Sequence, residues 1–454
     1  MPFPSKARFL SHFPNDRGFW RHLRKSVVPF EPGEIPDRAP FLDRLYEDLR
    51  ASTYFPSPPR AFIAIEKDLG VPRFQTAFRH AEYCVYFFCV REIEEFIATN
   101  RVGGTFGGWT LGNPLRKSEE SEAADQESPI GGGDYEPALS LNKFAWRKHW
   151  TDFQARASDA MQRSGCDWIV KFDLANFYDS INHSILFRDL RAVCPHEDAE
   201  VLDLLQHFLS HSLRPFSGYT PRTVGLPQDE VGDCSRILAN FYLQRYDQQI
   251  AELCSQMGCQ YLRYADDQII FGPDRRCLED LIFFASRELF AINLSINVAK
   301  VRYFSVDQFQ EYWAWDLFEL IGDGSVAEGV AAALEYFLRW RAEGKEFRWQ
   351  SVLRRLLNSN WIGLKRTQTA LLLNQLLQPE FLRKADTWTL TRIAQKLRPD
   401  WRTRMFSILD DMCSTTFLNG FIYNVLGFYS SWRKDFDATA LNARLKEIHI
   451  DPTI

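Results

Sequence analysis

Apolar positions along this chain switch between two periods. In "RAFIAIEKDLGVPRFQTAF" (60–78) apolar and polar residues alternate on either side of a glycine-bearing turn, which predicts a β-hairpin. "DWIVKFD" (167–173), "QYLRYADDQIIF" (260–271) and "LSINVAKVRYF" (294–304) also read as strands. Between them the spacing becomes three or four, the helical period: "AEYCVYFFCVREIEEFIATN", two helices over about 182–213, "VGDCSRILANFYLQRYDQQIAEL" and "CLEDLIFFASRELFAI". This α–β alternation predicts a mixed antiparallel sheet backed by helices. From about Val326 the pattern is helical throughout, as in "VAAALEYFLRWRA", "WQSVLRRLLNS" and "TQTALLLNQLL", with no fixed repeat period.

One stretch carries almost no apolar payload. "RKSEESEAADQESPIGGGDYEP", within about 103–137, reads as a flexible linker. The "GGTFGG" that opens it lacks the lysine–serine ending and preceding strand of a phosphate loop.

Composition adds exclusions. No apolar run approaches the ~20 residues that cross a bilayer, so no membrane partner is expected. The N-terminus mixes charge and proline and lacks the apolar segment of a signal peptide. The nine cysteines show no CxxC pairing, and Cys254 and Cys259 lack the companions of a zinc site. A reduced, cytoplasmic protein is expected. The net charge of −5 argues against indiscriminate nucleic-acid binding but permits a locally basic groove.

The chemistry concentrates at Asp266 and Asp267. Adjacent carboxylates in an apolar strand are costly to bury unless they sit at a hairpin tip or a cation neutralises them. If Asp173, at the end of "WIVKFD", meets them there, three carboxylates converge. Hard oxygen donors of this kind suit magnesium, and two such ions activate an attacking 3′-oxygen and stabilise the leaving oxygen of a phosphoryl transfer.

"KFDLANFYDSI", "GLPQ…SRILANFYL", "YADD" and "INLSINVAK", in this order, resemble the consecutive motifs of a reverse transcriptase palm. With the hairpin segment before them the resemblance covers roughly 55–305. It implies an α+β fold: right-hand polymerase fingers and palm, an antiparallel palm sheet, and an all-helical C-terminal thumb or extension. The implied divisions are 1–165 for the N-terminal region and fingers, 166–305 for the palm, with finger helices inserted at about 182–222, and 306–454 for the helical extension. The resemblance makes Asp173, Asp266 and Asp267 the catalytic carboxylates. These three, with the backbone carbonyl of Leu174, would hold two Mg2+ ions, for which Mn2+ could substitute. Lys300 falls where the family has a lysine proposed to protonate pyrophosphate. Tyr178 takes the place of the aromatic gate that disfavours a 2′-hydroxyl, its neighbour Phe177 being a core residue. Gln228 lies near the incoming nucleotide. Lys67 and Arg73 resemble the fingers pair that holds the triphosphate.

Asp229, Glu230 and Asp233 depart from the pattern. They place acids near the expected template path, where they repel phosphate. This points to a restricted template, an unusual primer or a covering partner. The SRILAN form and the helical tail are most similar to bacterial defence-associated, abortive-infection reverse transcriptases. The implied partners are dNTPs, a noncoding RNA or other RNA template, the DNA product, and a second protein or homo-oligomer through the C-terminal helices. Template-independent or protein-primed synthesis at the same site, and a catalytically silent RNA-binding scaffold, are the alternatives. In "FRWQSVLRRLLNSNWIGLKRT", Arg348, Arg354, Arg355, Lys365 and Arg366 mingle with Trp349 and Trp361. The stretch reads either as an RNA contact or as a packed helical surface, and "RHLRKS" (21–26) is a weaker RNA candidate.

Overall fold

The structure, a computed structural model, describes residues 3–15, 23, 28, 37–68, 70–111, 145–163, 165–212, 221–228, 233–322, 324–433 and 436–450. Among them the chain forms two compact units, one of residues 3–62 and 76–306, the other of residues 63–75 and 307–450. The predicted hairpin is present as a two-stranded sheet of β1 (Ala61–Asp68) and β2 (Val71–Ala77), most of which belongs to the second unit.

In the first unit, α1 (Lys6–Ser11), α2 (Arg38–Arg50) and α3 (His80–Thr99) precede β3 (Thr105–Phe106) and α4 (Ala145–Gln162). The strand β4 (Trp168–Phe172) is followed by α5 (Phe177–Ser180), α6 (His183–Val193), α7 (Ala199–His211), α8 (Asp233–Tyr242) and α9 (Gln244–Gln256). The hairpin β5 (Gln260–Tyr264) and β6 (Asp267–Gly272), then α10 (Arg275–Ala291) and β7 (Arg302–Ser305), complete it. Asn182 starts α6 by accepting from the N–H groups of Ser184 and Ile185, and Asp274 starts α10 by accepting from Cys277. α3 is apolar on most sides and correspondingly buried. Two of its buried acids are ion-paired: Glu92 with Arg8 (2.6 Å), and Glu94 with Arg91, Glu94 also accepting from the Leu111 N–H.

The sheet runs β3–β5–β6–β4–β7. β4, β5, β6 and β7 pair antiparallel, as expected. β3 adds a short parallel strand beside β5, so the sheet is mixed rather than purely antiparallel. This also corrects the start of the linker. Residues 103–111 are folded: Trp109 is fully buried, and the Leu111 N–H donates to Glu94 Oε2 at 2.6 Å. Phe106, Trp109 and Leu111 bury enough surface to order a segment whose glycines alone suggested slack. Gly107 is required there, because a Cβ would stand 2.7 Å from the backbone nitrogen of Ala265. Residues 112–137 of the expected linker lie outside the described residues.

From Val306 the chain is helical: α11 (Val306–Trp313), α12 (Trp315–Ile321), α13 (Ala327–Ala342), α14 (Trp349–Asn358), α15 (Arg366–Leu376), α16 (Pro379–Leu382), α17 (Thr387–Lys396), α18 (Pro399–Thr415), α19 (Asn419–Trp432) and α20 (Thr439–Glu447). Their apolar stripes merge into one core extending from Ala314 to Leu445. Trp349 and Trp361 pack against that core, with Arg341 over the Trp349 ring and Lys396 over Trp361. Arg348 lies over Trp313, Arg354 donates to the Lys384 carbonyl and Arg355 to the Gly322 carbonyl. These contacts favour the packed-surface reading of the tryptophan–arginine stretch. Among the described residues no helix is long and apolar enough to cross a membrane.

Candidate active site

The tip of the β5–β6 hairpin is a two-residue turn, Ala265–Asp266, closed by the Tyr264–Asp267 pair. Ala265 has φ +53°, the left-handed conformation that such a turn demands at its first position and that usually selects glycine. Alanine is held there from three sides. Its N–H donates to the Phe106 carbonyl (3.2 Å), its carbonyl accepts from Arg263 Nη1 (2.8 Å), and Gly107 abuts it.

Arg263 is fully buried directly behind this turn. It donates from Nε to Asp247 Oδ1 (2.7 Å), from Nη2 to Asp247 Oδ2 (2.5 Å) and from Nη1 to Asn240 Oδ1 (2.7 Å). Burial opposes its charge, and the Asp247 carboxylate more than compensates, so its pKa is raised. Asn240, from the "SRILAN" motif, also donates to the Gly108 carbonyl at 2.6 Å. Tyr261 donates to Asp247 (2.8 Å), and Tyr246 donates to Gln268 (2.6 Å). One polar network therefore joins α8, α9, β5, β6 and the loop after β3 beneath the paired aspartates. Sequence reasoning missed Arg263 and Asp247. A charged residue at a buried strand position was the available signal.

Asp173 follows β4, which lies between β6 and β7. Its backbone carbonyl accepts from the Asn297 N–H (2.8 Å), and Leu174, itself buried, bridges to Ile296. This pairing brings "INLSINVAK" alongside, and Lys300 Nζ forms an ion pair with Asp173 Oδ2. The Asp266 carboxyl lies within hydrogen-bonding reach of Asp173. Its burial, then the charges of Asp173 and Asp267, push its pKa up to about 7.

Asp267 turns to a different partner. Lys171 sits opposite Ile269, diagonal to Asp267 on the same face, and its Nζ reaches Asp267 Oδ1 at 2.5 Å. The structure thus brings Asp173, Asp266 and Lys300 together and pairs Asp267 with Lys171. Among the described residues no three His, Cys, Asp or Glu side chains form a ready metal-binding group. The adjoining Asp173 and Asp266 nevertheless have the donor chemistry of a hard divalent cation, since two oxygen ligands whose mutual repulsion raises one pKa gain from one.

The other expected residues divide between the units. Tyr178 is half-buried on α5 beside the buried Phe177, and its carbonyl accepts from the Leu226 N–H (2.8 Å). Gln228 accepts through its own carbonyl from the Thr76 N–H (2.7 Å), so "GLPQ" spans from Tyr178 to the end of β2. Lys67 and Arg73 are exposed on the hairpin in the second unit. Asp229, Glu230 and the "RHLRKS" basic side chains lie outside the described residues, as does the side chain of Asp233.

Residues 137–337 match the family model described as reverse transcriptase (RNA-dependent DNA polymerase). Over 146 residues the chain is 26% identical to the retron Ec83 reverse transcriptase of Escherichia coli, a match covering 30% of this chain and 44% of that relative's length. Among solved structures, apo telomerase from Candida tropicalis aligns over 92% of this chain and 67% of its own, with 11% identity and a TM-score of 0.35. Telomerase from Candida albicans, in complex with a fragment of telomeric RNA, aligns over 66% and 51%, with 11% identity and a TM-score of 0.29. The region matched by the family model contains Asp173, Tyr178, Gln228, the Ala265–Asp266 turn and Lys300, and this part of the chain is similar to the reverse transcriptases.

Proposed function

We propose that the protein is an RNA-directed DNA polymerase that extends DNA from dNTPs by nucleotidyl transfer, and that it acts in bacterial anti-phage defence with a noncoding RNA as template or partner. The observation that carries this reading is the meeting of the Asp173 and Asp266 carboxyls at the hairpin tip. Its kinship with a retron reverse transcriptase supports the defence setting.

Asp173, Asp266 and the Leu174 carbonyl would hold magnesium, with Asp267 as an outer ligand released from Lys171; manganese would substitute. Bound there, divalent ions supply Lewis-acid stabilisation of the attacking and leaving oxygens. The chain's own side chains do the rest. Lys300 supplies positive charge beside Asp173, and as the family's leaving-group lysine it would hand a proton to pyrophosphate. Tyr178 would exclude a 2′-hydroxyl, and Gln228 would position the nucleotide. Lys67 and Arg73 would offset the triphosphate charge.

Incubating the purified protein with each labelled dNTP separately, with magnesium, before and after RNase treatment, tests the reading. RNA-directed synthesis gives a product that RNase pretreatment abolishes. A product that survives RNase indicates template-independent or protein-primed synthesis at the same site. No product under any condition leaves only a silent scaffold.

A further inference from the structure

The outer edge of β1 is covered at one place. Ala64, buried within that strand, donates its backbone N–H to Oδ1 of Asn419 at 2.7 Å, 355 residues away in sequence. Asn419 begins α19 and is itself buried. Beside it, a Cβ on Gly420 would stand 2.6 Å from Ile65 Cγ2, 2.9 Å from the Ala64 carbonyl oxygen and 2.9 Å from Ile63 Cγ2. An edge strand exposes N–H and C=O groups that need partners. Here a side-chain amide meets the N–H, and a helix backbone stripped of its side chain closes over the carbonyl. Glycine weakens a helix relative to alanine, so its place in α19 is explained by this approach rather than by helix formation. Toward the hairpin turn the packing opens. Gly70, Pro72 and Phe74, with Ala64 and Glu66, line a cavity of about 520 Å3 closed on the other side by residues that include Arg383 and Phe417. The hairpin is therefore gripped at the middle of β1 and loosely supported near its turn.

We propose that Asn419 and Gly420 are positioning residues for the β1–β2 hairpin, through which the C-terminal helices set how tightly a nucleoside triphosphate is held. Lys67 lies on the strand they grip and Arg73 on its partner. The ligand in this inference rests on the polymerase reading above; the grip itself does not.

Hydrogen exchange and steady-state kinetics of the full chain, wild type against Asn419→Ala and Gly420→Ala, test both parts. Alanine at 420 favours the helix, so this variant loses the docking while keeping α19. Amides of residues 61–68 should exchange about tenfold faster in either variant, the effect of one lost buried hydrogen bond or its equivalent. Exchange in α13 and α14 should stay unchanged. The KM for dNTP should rise several-fold with kcat nearly constant, a split that general destabilisation does not produce. Unchanged exchange at 61–68 in both variants overturns the grip. Faster exchange with an unmoved KM overturns its coupling to nucleotide binding. A wild-type chain that incorporates no nucleotide overturns the polymerase reading and the coupling with it, while the exchange data still decide the grip.

Discussion

Arg263 and Asp247 form a fully buried, two-pronged ion pair directly beneath the turn that presents Asp266. The same guanidinium donates to the Ala265 carbonyl, so the charge pair and the strained turn are mechanically one object. Removing one member leaves the other buried without its counter-charge.

Arg263→Met should therefore destabilise the first unit by about 3–5 kcal/mol. The double replacement Arg263→Met with Asp247→Leu should lose markedly less, because no orphaned charge remains. Thermal melting of Arg263→Met, Asp247→Leu and the double variant measures this. A double variant as unstable as the sum of the singles would contradict it.

Much of this site was legible in the sequence because its motifs are short and local. The hairpin expected around "YADD" has its tip at Ala265–Asp266, and "WIVKFD" delivers Asp173 at the end of a strand whose three buried residues, Ile169, Val170 and Phe172, are apolar. The pairings that need tertiary contact were not legible. Nothing local says that Lys171 will take Asp267, that Asn240 will reach the loop at Gly108, or that Asn419 will cap β1 from the far end of the chain. The "GGTFGG" stretch misled for a related reason. Its glycines allow close approach rather than slack, Gly107 to the Ala265 backbone and Gly104 to the Tyr261 carbonyl.

The raised pKa of Asp266 makes the metal-free protein pH-sensitive. A carboxyl whose value moves from 3.8 to about 7 binds its proton more tightly folded than unfolded. Its contribution to stability is complete below the lower value and is lost as pH rises through the upper one, by up to about 1.4 kcal/mol per pH unit. Asp266→Asn cannot ionise and should escape that loss. Melting in the presence of a chelator should show the variant gaining on wild type from pH 5 to pH 8. Parallel curves would contradict the enclosure of the Asp173–Asp266 pair.

Tyr178 offers a test of substrate choice that leaves the fold alone. Its backbone is fixed by the Leu226 N–H, independently of the ring. Tyr178→Ala should relax discrimination against ribonucleotides by about ten- to a hundredfold, the range available to a steric contact. The ratio of kcat/KM for dNTP over the matching rNTP reads this directly, and an unchanged ratio would contradict the gating role of Tyr178.

On the reading proposed above, Asp173 and Asp266 jointly hold the divalent ion that nucleotidyl transfer needs. The most direct measurement is magnesium-dependent incorporation of labelled dNTP by wild type and by Asp266→Asn, with melting curves confirming that both are folded. Incorporation should be removed by chelation in the wild type and be absent from the variant at every magnesium concentration. A folded Asp266→Asn protein that incorporates nucleotide as fast as wild type would contradict it.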